Sequence, residues 1–210
     1  MIEAENELGL CLMQAGEIET AVECFRRAID SMHECPEFPL VDSLRGVLYE
    51  NLGLALKESD QVSIALEWIL KAVYVFRALR ECCDSACSAQ FLRFSRDLFS
   101  CLSEASRLSQ KLQDLVKAEE LASESIGILE EIPENQRTWK DKGKILLAEC
   151  NLASILVDSR REEEALELVN RIFTKVSDLG EECTQLPIEQ VFEQCNSIRL
   201  NCTRQEESSR

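Results

Sequence analysis

The sequence predicts an all-α solenoid of about four helical hairpins closed by a C-terminal capping helix. Three observations carry this. The chain has only seven Gly and four Pro in 210 residues, too few for the tight turns of a sheet-rich fold, while 45% of it is hydrophobic and 30% charged. One pattern of small and apolar residues recurs four times along it. A last amphipathic segment then follows the fourth copy.

The pattern opens with Leu8-Gly9 and Leu12, and continues after eight residues with Ala21, Phe25 and Ala28. It returns as Leu52-Gly53 and Leu56, then Ala65, Ile69 and Ala72. A weaker copy is Ala105-Ser106 and Ser109, then Ala118, Ala122 and Ser125, and another is Leu152-Ala153 and Leu156, then Ala165, Val169 and Ile172. In every copy the small residue precedes its partner Ala by twelve positions (9 to 21, 53 to 65, 106 to 118, 153 to 165). Spacings of three and four keep these residues on one side of a helix, and a small side chain on each of two crossing helices lets their axes approach. Gly16, Asp60 and the Ser159-Arg160 pair fall between the two halves of their copies, where a short turn is needed. Tyr49 and Leu102 stand three positions ahead of the opening residue, where a long apolar side chain would close the stack; Glu5 and Glu149 hold that place in the other copies.

These residues resemble the tetratricopeptide repeat family, in its long-helix form as in kinesin light chain and the Pins/LGN adaptors. The copies recur after 44, 53 and 47 residues against about 34 in the standard repeat, so the extra length belongs to longer helices and connections. The resemblance implies a right-handed superhelical solenoid over residues 1–204, with repeats at 2–33, 40–81, 86–131 and 138–179, a capping helix at 187–204 and a disordered tail at 205–210.

Helices are predicted at 2–15 and 18–33, 40–58 and 61–81, 86–111 and 114–131, and 138–158 and 161–179. Pro36 and Pro39 punctuate the first link and Pro133 the third. Asp84 and Ser85 are candidate N-caps at the second link, and Gly180 suits the end of the eighth helix. Pro187 opens a ninth helix with an apolar face of Ile188, Val191, Phe192, Cys195, Ile198 and Cys202, suited to covering the last hairpin. The chain enters its first repeat directly, as would a piece of a longer array or an end that packs on something else.

Charge and cysteine narrow the function. With 23 Lys+Arg against 39 Asp+Glu the net charge is −16, which repels nucleic acid and anionic membranes. The opening Met-Ile-Glu-Ala-Glu-Asn-Glu has neither a basic region nor an apolar stretch, so no targeting signal is read there, leaving the cytosol or the nucleus. Eleven cysteines without a signal peptide read as reduced thiols.

Nothing in the sequence assembles a catalytic site: the single histidine, His33, ends a helix, and the Leu-Gly pairs are packing residues rather than a phosphate loop. No cofactor is expected. Cys82-Cys83 and Cys87 lack the second ligand pair that structural zinc requires, so they read as packing. The basic run from Arg137 to Lys144, with Trp139 inside it, reads as a solvated loop before a helix.

The resemblance places a binding groove on the first helices of the hairpins. Its positions fall on Asn6, Leu10 and Met13; on Glu50, Leu54 and Lys57; on Ser103, Arg107 and Gln110; and on Cys150, Ser154 and Val157. Arg93, Arg96, Ser100, Ser103, Arg107 and Lys111 form a stripe without acids along one face of the fifth helix. It lies in a neutral middle third, 8 basic and 8 acidic groups in residues 61–120, between flanks of −9 and −7. The expectation is a non-enzymatic adaptor holding a partner's peptide or helix, with apolar side chains and an acid for Arg107. The alternative is a structural subunit packed permanently through its edges and convex face. Chaperone C-terminal tails are argued against. At the five places where tail-binding members hold a carboxylate this chain has Asn6, Leu10, Asn51, Ser100 and Glu104; only Asn51 fits, and Glu104 repels.

Overall fold

The computed structural model describes residues 1–34, 41–83, 88–178 and 187–208. Pro36, Pro39, Asp84, Ser85, Cys87 and Gly180 lie outside these residues, as does the His33 side chain. The hairpins are α1 (Ile2–Gln14) with α2 (Ile18–Glu34), α3 (Val41–Glu58) with α4 (Val62–Glu81), α5 (Ala89–Lys111) with α6 (Leu115–Glu130), and α7 (Trp139–Asp158) with α8 (Glu162–Asp178). A 3₁₀ turn at Glu134–Gln136 precedes α7, and α9 (Ile188–Ser208) packs on α7 and α8. Among the described residues all regular structure is helical, and no helix is long and apolar enough to cross a membrane.

The twelve-residue offset is a contact between crossing helices. Gly9, Gly53, Ser106 and Ala153 are buried, as are Ala21, Ala65, Ala118 and Ala165. A Cβ on Gly53 would lie 2.7 Å from Ile69 and 3.2 Å from the Ala65 carbonyl oxygen, so the two axes come closer than any larger residue permits. In the third copy Ser106 Oγ donates to the carbonyl of Ala118 at 2.8 Å, which satisfies the hydroxyl that replaces glycine or alanine there.

Each hairpin turns in the same way. Gly16, Asp60, Gln113 and Arg160 take positive φ of 81°, 60°, 62° and 59°, each seven positions after the small residue of its copy. The following N–H reaches back to the carbonyl five residues earlier: Glu17 to Leu12, Gln61 to Leu56, Asp114 to Ser109 and Arg161 to Leu156, at 2.9–3.0 Å. This left-handed closure ends the first helix of each hairpin. Gln113 settles the register of the weak third copy.

The core has two large parts and a small third one of Ala118, Ala122 and Ile155. One large part runs from Ala21 and Phe25 through Leu52, Phe76, Leu98 and Leu102 to Ala148. The other joins α7, α8 and α9 through Leu146, Ala153, Leu168, Ile172, Val191 and Ile198. Each buried Leu, Ile or Phe contributes about 1.5–3 kcal/mol, so most of the stability lies along this spine.

Several expectations need correction. The helix expected from 86 starts at Ala89, where Ser88 accepts a hydrogen bond from the Phe91 N–H at 3.1 Å and caps it. The Trp139–Lys144 part of the basic run is not loop but the first turns of α7. Thr138 and Asp141 form a capping box there, and the Asp141 carboxylate offsets the lysines at the positive end of the helix. The cap expected at 187–204 continues helically to Ser208, so the tail expected to be disordered from 205 is helix over its first four residues. Phe192, expected on the buried face of α9, is 37% exposed and stacks on Phe173 at 5.3 Å.

Candidate functional site

The first helices α1, α3, α5 and α7 stand side by side, tied by short polar contacts across each seam. Asn51 Nδ2 donates to Asn6 Oδ1 at 2.8 Å between α1 and α3. Ser100 Oγ donates to Glu50 at 2.8 Å between α3 and α5, and Lys57 meets Glu104 at 3.2 Å in the same seam. Between α5 and α7, Asn151 reaches Ser106 at 3.2 Å, while Gln110 reaches Ser154 at 3.2 Å and Asp158 at 2.7 Å. The strongest tie is Arg96, which donates through Nε and Nη2 to both oxygens of Asp141 at 2.9 and 2.8 Å.

These pairs change what the predicted site residues do. Asn6, Glu50, Lys57, Arg96, Ser100 and Ser154 are engaged between neighbouring helices. Leu10, Met13 and Leu54 are half-buried and pack against the core. The predicted stripe of cations is therefore not a basic stripe. Arg93 meets Asp97, Arg96 meets Asp141, and Arg107 and Lys57 share Glu104, leaving exposed Lys111 at the end of α5. Asp97 and Glu104 stand beside the stripe on α5 itself, and Asp141 comes from α7, where a one-helix reading does not see it. Arg107 finds its carboxylate in Glu104 of its own helix, so no acid in a partner segment is called for.

Burial sets the protonation of the acids beneath. It pushes the Glu50 carboxyl up, and the charge of Asp97 adds to this against the hydrogen bond from Ser100. Asp97 is also pushed up by burial, opposed by Arg93 and Lys144. Asp141 goes the other way: burial pushes it up, but the bonds from Arg96 and Thr138 outweigh that and hold it below the usual carboxylate range.

An open cleft lies on this face. Between α5 and α7 a depression of about 230 Å³ is lined by apolar Phe99, Leu147 and Ala148 and by polar Ser100, Ser103, Arg107, Lys144 and Asn151, with the buried Ser125 of α6. The Ser103 hydroxyl is buried there with no hydrogen-bond partner, and Lys144 lies 5.6 Å over the Phe99 ring. Three predicted residues, Ser100, Ser103 and Arg107, come together in it. Lys144, Leu147 and Asn151 were missed because the register carried to α7 pointed at Cys150 and Val157, which are buried against α8 and α9. The spacing 144, 147, 151, 154 was the available signal, since it keeps one helical face. Among the described residues no three His, Cys, Asp or Glu side chains gather as a metal ion would need.

Hairpins crossing at small residues and turning through a common left-handed closure define a tetratricopeptide-like solenoid. Residues 3–31 match the tetratricopeptide repeat family, and no curated relative matches the chain. Among solved structures it is similar to BtubC (BKLC) from P. vanneervenii, with a TM-score of 0.69 and 16% identity over 86% of this chain and 65% of that one. It is similar to the putative kinesin light chain TPR-like repeats of Podosopora anserina, with a TM-score of 0.64 and 15% identity over 98% and 96%. The Rap conjugation gene regulator of plasmid pLS20, solved in complex with the Phr* peptide, matches with a TM-score of 0.56 and 12% identity over 97% and 53%. The chain thus spans less than two thirds of BtubC and about half of the Rap regulator, and at these identities the likeness is one of fold.

The expectation against chaperone tails is also corrected. The TPR2AB-domain:pHSP90 complex of yeast Sti1 is among the matching structures, at 12% identity and a TM-score of 0.33 over 93% of this chain and 86% of that one. Five residues carried from a family pattern do not exclude such a ligand, and the exclusion is withdrawn. A likeness of that size does not assign the ligand to this chain either.

Proposed function

We propose that the chain is a non-enzymatic interaction module, an adaptor or scaffold, that holds a peptide or helix of a partner protein along the face of α1, α3, α5 and α7. The α5–α7 cleft carries this reading. It sets Phe99, Leu147 and Ala148 among hydrogen-bonding groups beside the polar ties of the seam, so it has the makings of an anchor for one apolar side chain and its backbone. The Phr* peptide complex of the Rap regulator supports the reading by showing that a solenoid of this kind accommodates a peptide. The eleven cysteines favour the cytosol or the nucleus as its place of work.

The test is selection of peptides from a displayed library on the immobilised chain, followed by calorimetry. Binding should weaken tenfold or more with Leu147→Asp or Arg107→Glu and stay unchanged with Tyr74→Ala, which alters an exposed ring on α4. Circular dichroism establishes that each variant remains helical. Equal binding to all variants overturns the reading.

A second reading, a subunit packed permanently in an assembly, rests on α1. Leu8 is 47% exposed, whereas Leu52, its counterpart in the next copy, is fully covered. If that edge is an interface, Leu8→Lys disperses the chain's self-association or its stable complex in light scattering. If Leu8→Lys changes neither, the edge is a plain surface.

A further inference from the structure

The seam between α7 and α9 repeats the seam between α1 and α3 with sulfur in place of amide. Asn6 meets Asn51 forty-five positions later; Cys150, at the corresponding place of the fourth copy, meets Cys195, again forty-five positions on. The two sulfurs are 3.7 Å apart, and both side chains are buried, at 1% and 0% exposure. Apolar packing alone does not call for two facing thiols. Of the α9 positions that share this burial, Val191 and Ile198 are aliphatic and Cys202 is a third cysteine, whereas Cys150 and Cys195 hold the place that carries the Asn6–Asn51 pair in the first seam.

We propose that Cys150 and Cys195 are an oxidisable dithiol, a modification site at which a peroxide forms a disulfide that locks α9 onto α7. The Cys195 thiolate attacks one peroxide oxygen and the O–O bond breaks. The departing hydroxide takes a proton and leaves as water, and Cys195 becomes a sulfenic acid. Cys150 then attacks that sulfur, the S–S bond forms, and hydroxide leaves with the Cys150 proton as a second water. Two electrons pass from the thiols to the peroxide. The sulfurs close from 3.7 Å to a bond of about 2.05 Å.

Three features prepare this chemistry. The hydrogen bond between the thiols draws Cys195 down and Cys150 up, while burial pushes both up. Arg199, one turn along α9, favours the Cys195 thiolate by its charge, against Glu149, which opposes it. Third, α9 packs more sparsely on α7 and on α8 than the helices of a hairpin pack on each other, and sparsely packed elements open more readily, which gives a peroxide its route in. Cys101 marks the contrast: burial and the neighbouring Glu50 push its thiol up, and among the described residues it faces no second sulfur.

Peptide mapping of the whole chain by mass spectrometry tests this. The protein is treated with hydrogen peroxide, its remaining thiols are alkylated, and it is digested without reductant. The expected product is a Cys150–Cys195 linked peptide two hydrogens lighter than its parts, lost on adding dithiothreitol, with amide exchange across α9 slowed at least tenfold. Cys150→Ser should leave a sulfenic acid on Cys195 that dimedone traps, with no linked peptide. Oxidation confined to exposed Cys11 and Cys82, with Cys150 and Cys195 still alkylated as free thiols, overturns the proposal. The mapping on the unaltered chain decides the question even if a variant fails to fold.

Discussion

The first three hairpins and the α7–α9 unit answer the same packing problem with different side chains. In the first region aromatic rings lie against glycine: Gly9 faces Phe25 and Gly46 faces Phe76, each so close that a Cβ would sit 2.6–2.7 Å from a ring carbon. The second region fills its core with aliphatic side chains and thiols, and its small crossing residue is Ala153. Between them lies a thin apolar layer of Ala118, Ala122 and Ile155, flanked by ion pairs of Arg96 with Asp141, Arg161 with Glu119 and Lys175 with Glu130. Ring-on-glycine contacts fix a helix separation and tolerate no added atom. The aliphatic unit fixes its position through polar ties to its neighbour, so the two regions should fail in different ways.

The largest effect is expected from Gly53→Leu, which forces α3 and α4 apart against Ile69 and the Ala65 carbonyl. It should cost about 3 kcal/mol in urea unfolding and loosen the first region as a whole. Asp141→Ala should cost about 2 kcal/mol, since it strands Arg96 and removes the capping box of α7. Its signature is faster amide exchange in α7–α9 with the first hairpins unchanged.

The two regions also differ in pH. The folded state raises Glu50, so it holds that proton more tightly than the unfolded chain does. Stability from this group is present at low pH and is lost as pH rises from the ordinary carboxylate range through its raised value. Glu50→Gln should therefore gain on the unaltered chain as pH climbs from about 4 to 7 in a series of thermal melts. Asp141 is lowered and has the opposite sign: its contribution is present above the ordinary range and lost as pH falls through its depressed value, so Asp141→Asn should flatten the acid side of the same series. The smallest effect is a gain. Gln113→Gly relieves a left-handed position and should add about 0.5–1 kcal/mol, measured by urea midpoint.

The hairpins were legible because their signal is local. The small residue, the Ala twelve positions on and the turn between them all lie within one copy, so even Ser106 and Ala118 revealed the weak third repeat. Gln113 was not recognised as a turn residue because glutamine carries no turn preference; it takes positive φ because the hairpin closure demands it. The site was less legible. Whether Arg96 is a reader of partners or a tie to Asp141 depends on two residues 45 apart meeting, and no periodicity within α5 records that. The groove register on α7 failed for the same reason. Cys150 occupies a groove position by offset, yet α9 takes the place of a next first helix and covers it.

Every hairpin turns seven residues after its small residue, whereas successive copies are 44, 53 and 47 residues apart. The molecule is therefore a ribbon with one hemmed edge and one ragged edge. Along the hem, four alike turns stand in line and vary only by the side chains of Gly16, Asp60, Gln113 and Arg160. All the freedom to insert or delete sits on the opposite edge, where the hairpins are joined. A change of length there alters what that margin can touch without disturbing the spacing of the first helices, so the two margins are free to diverge at different rates.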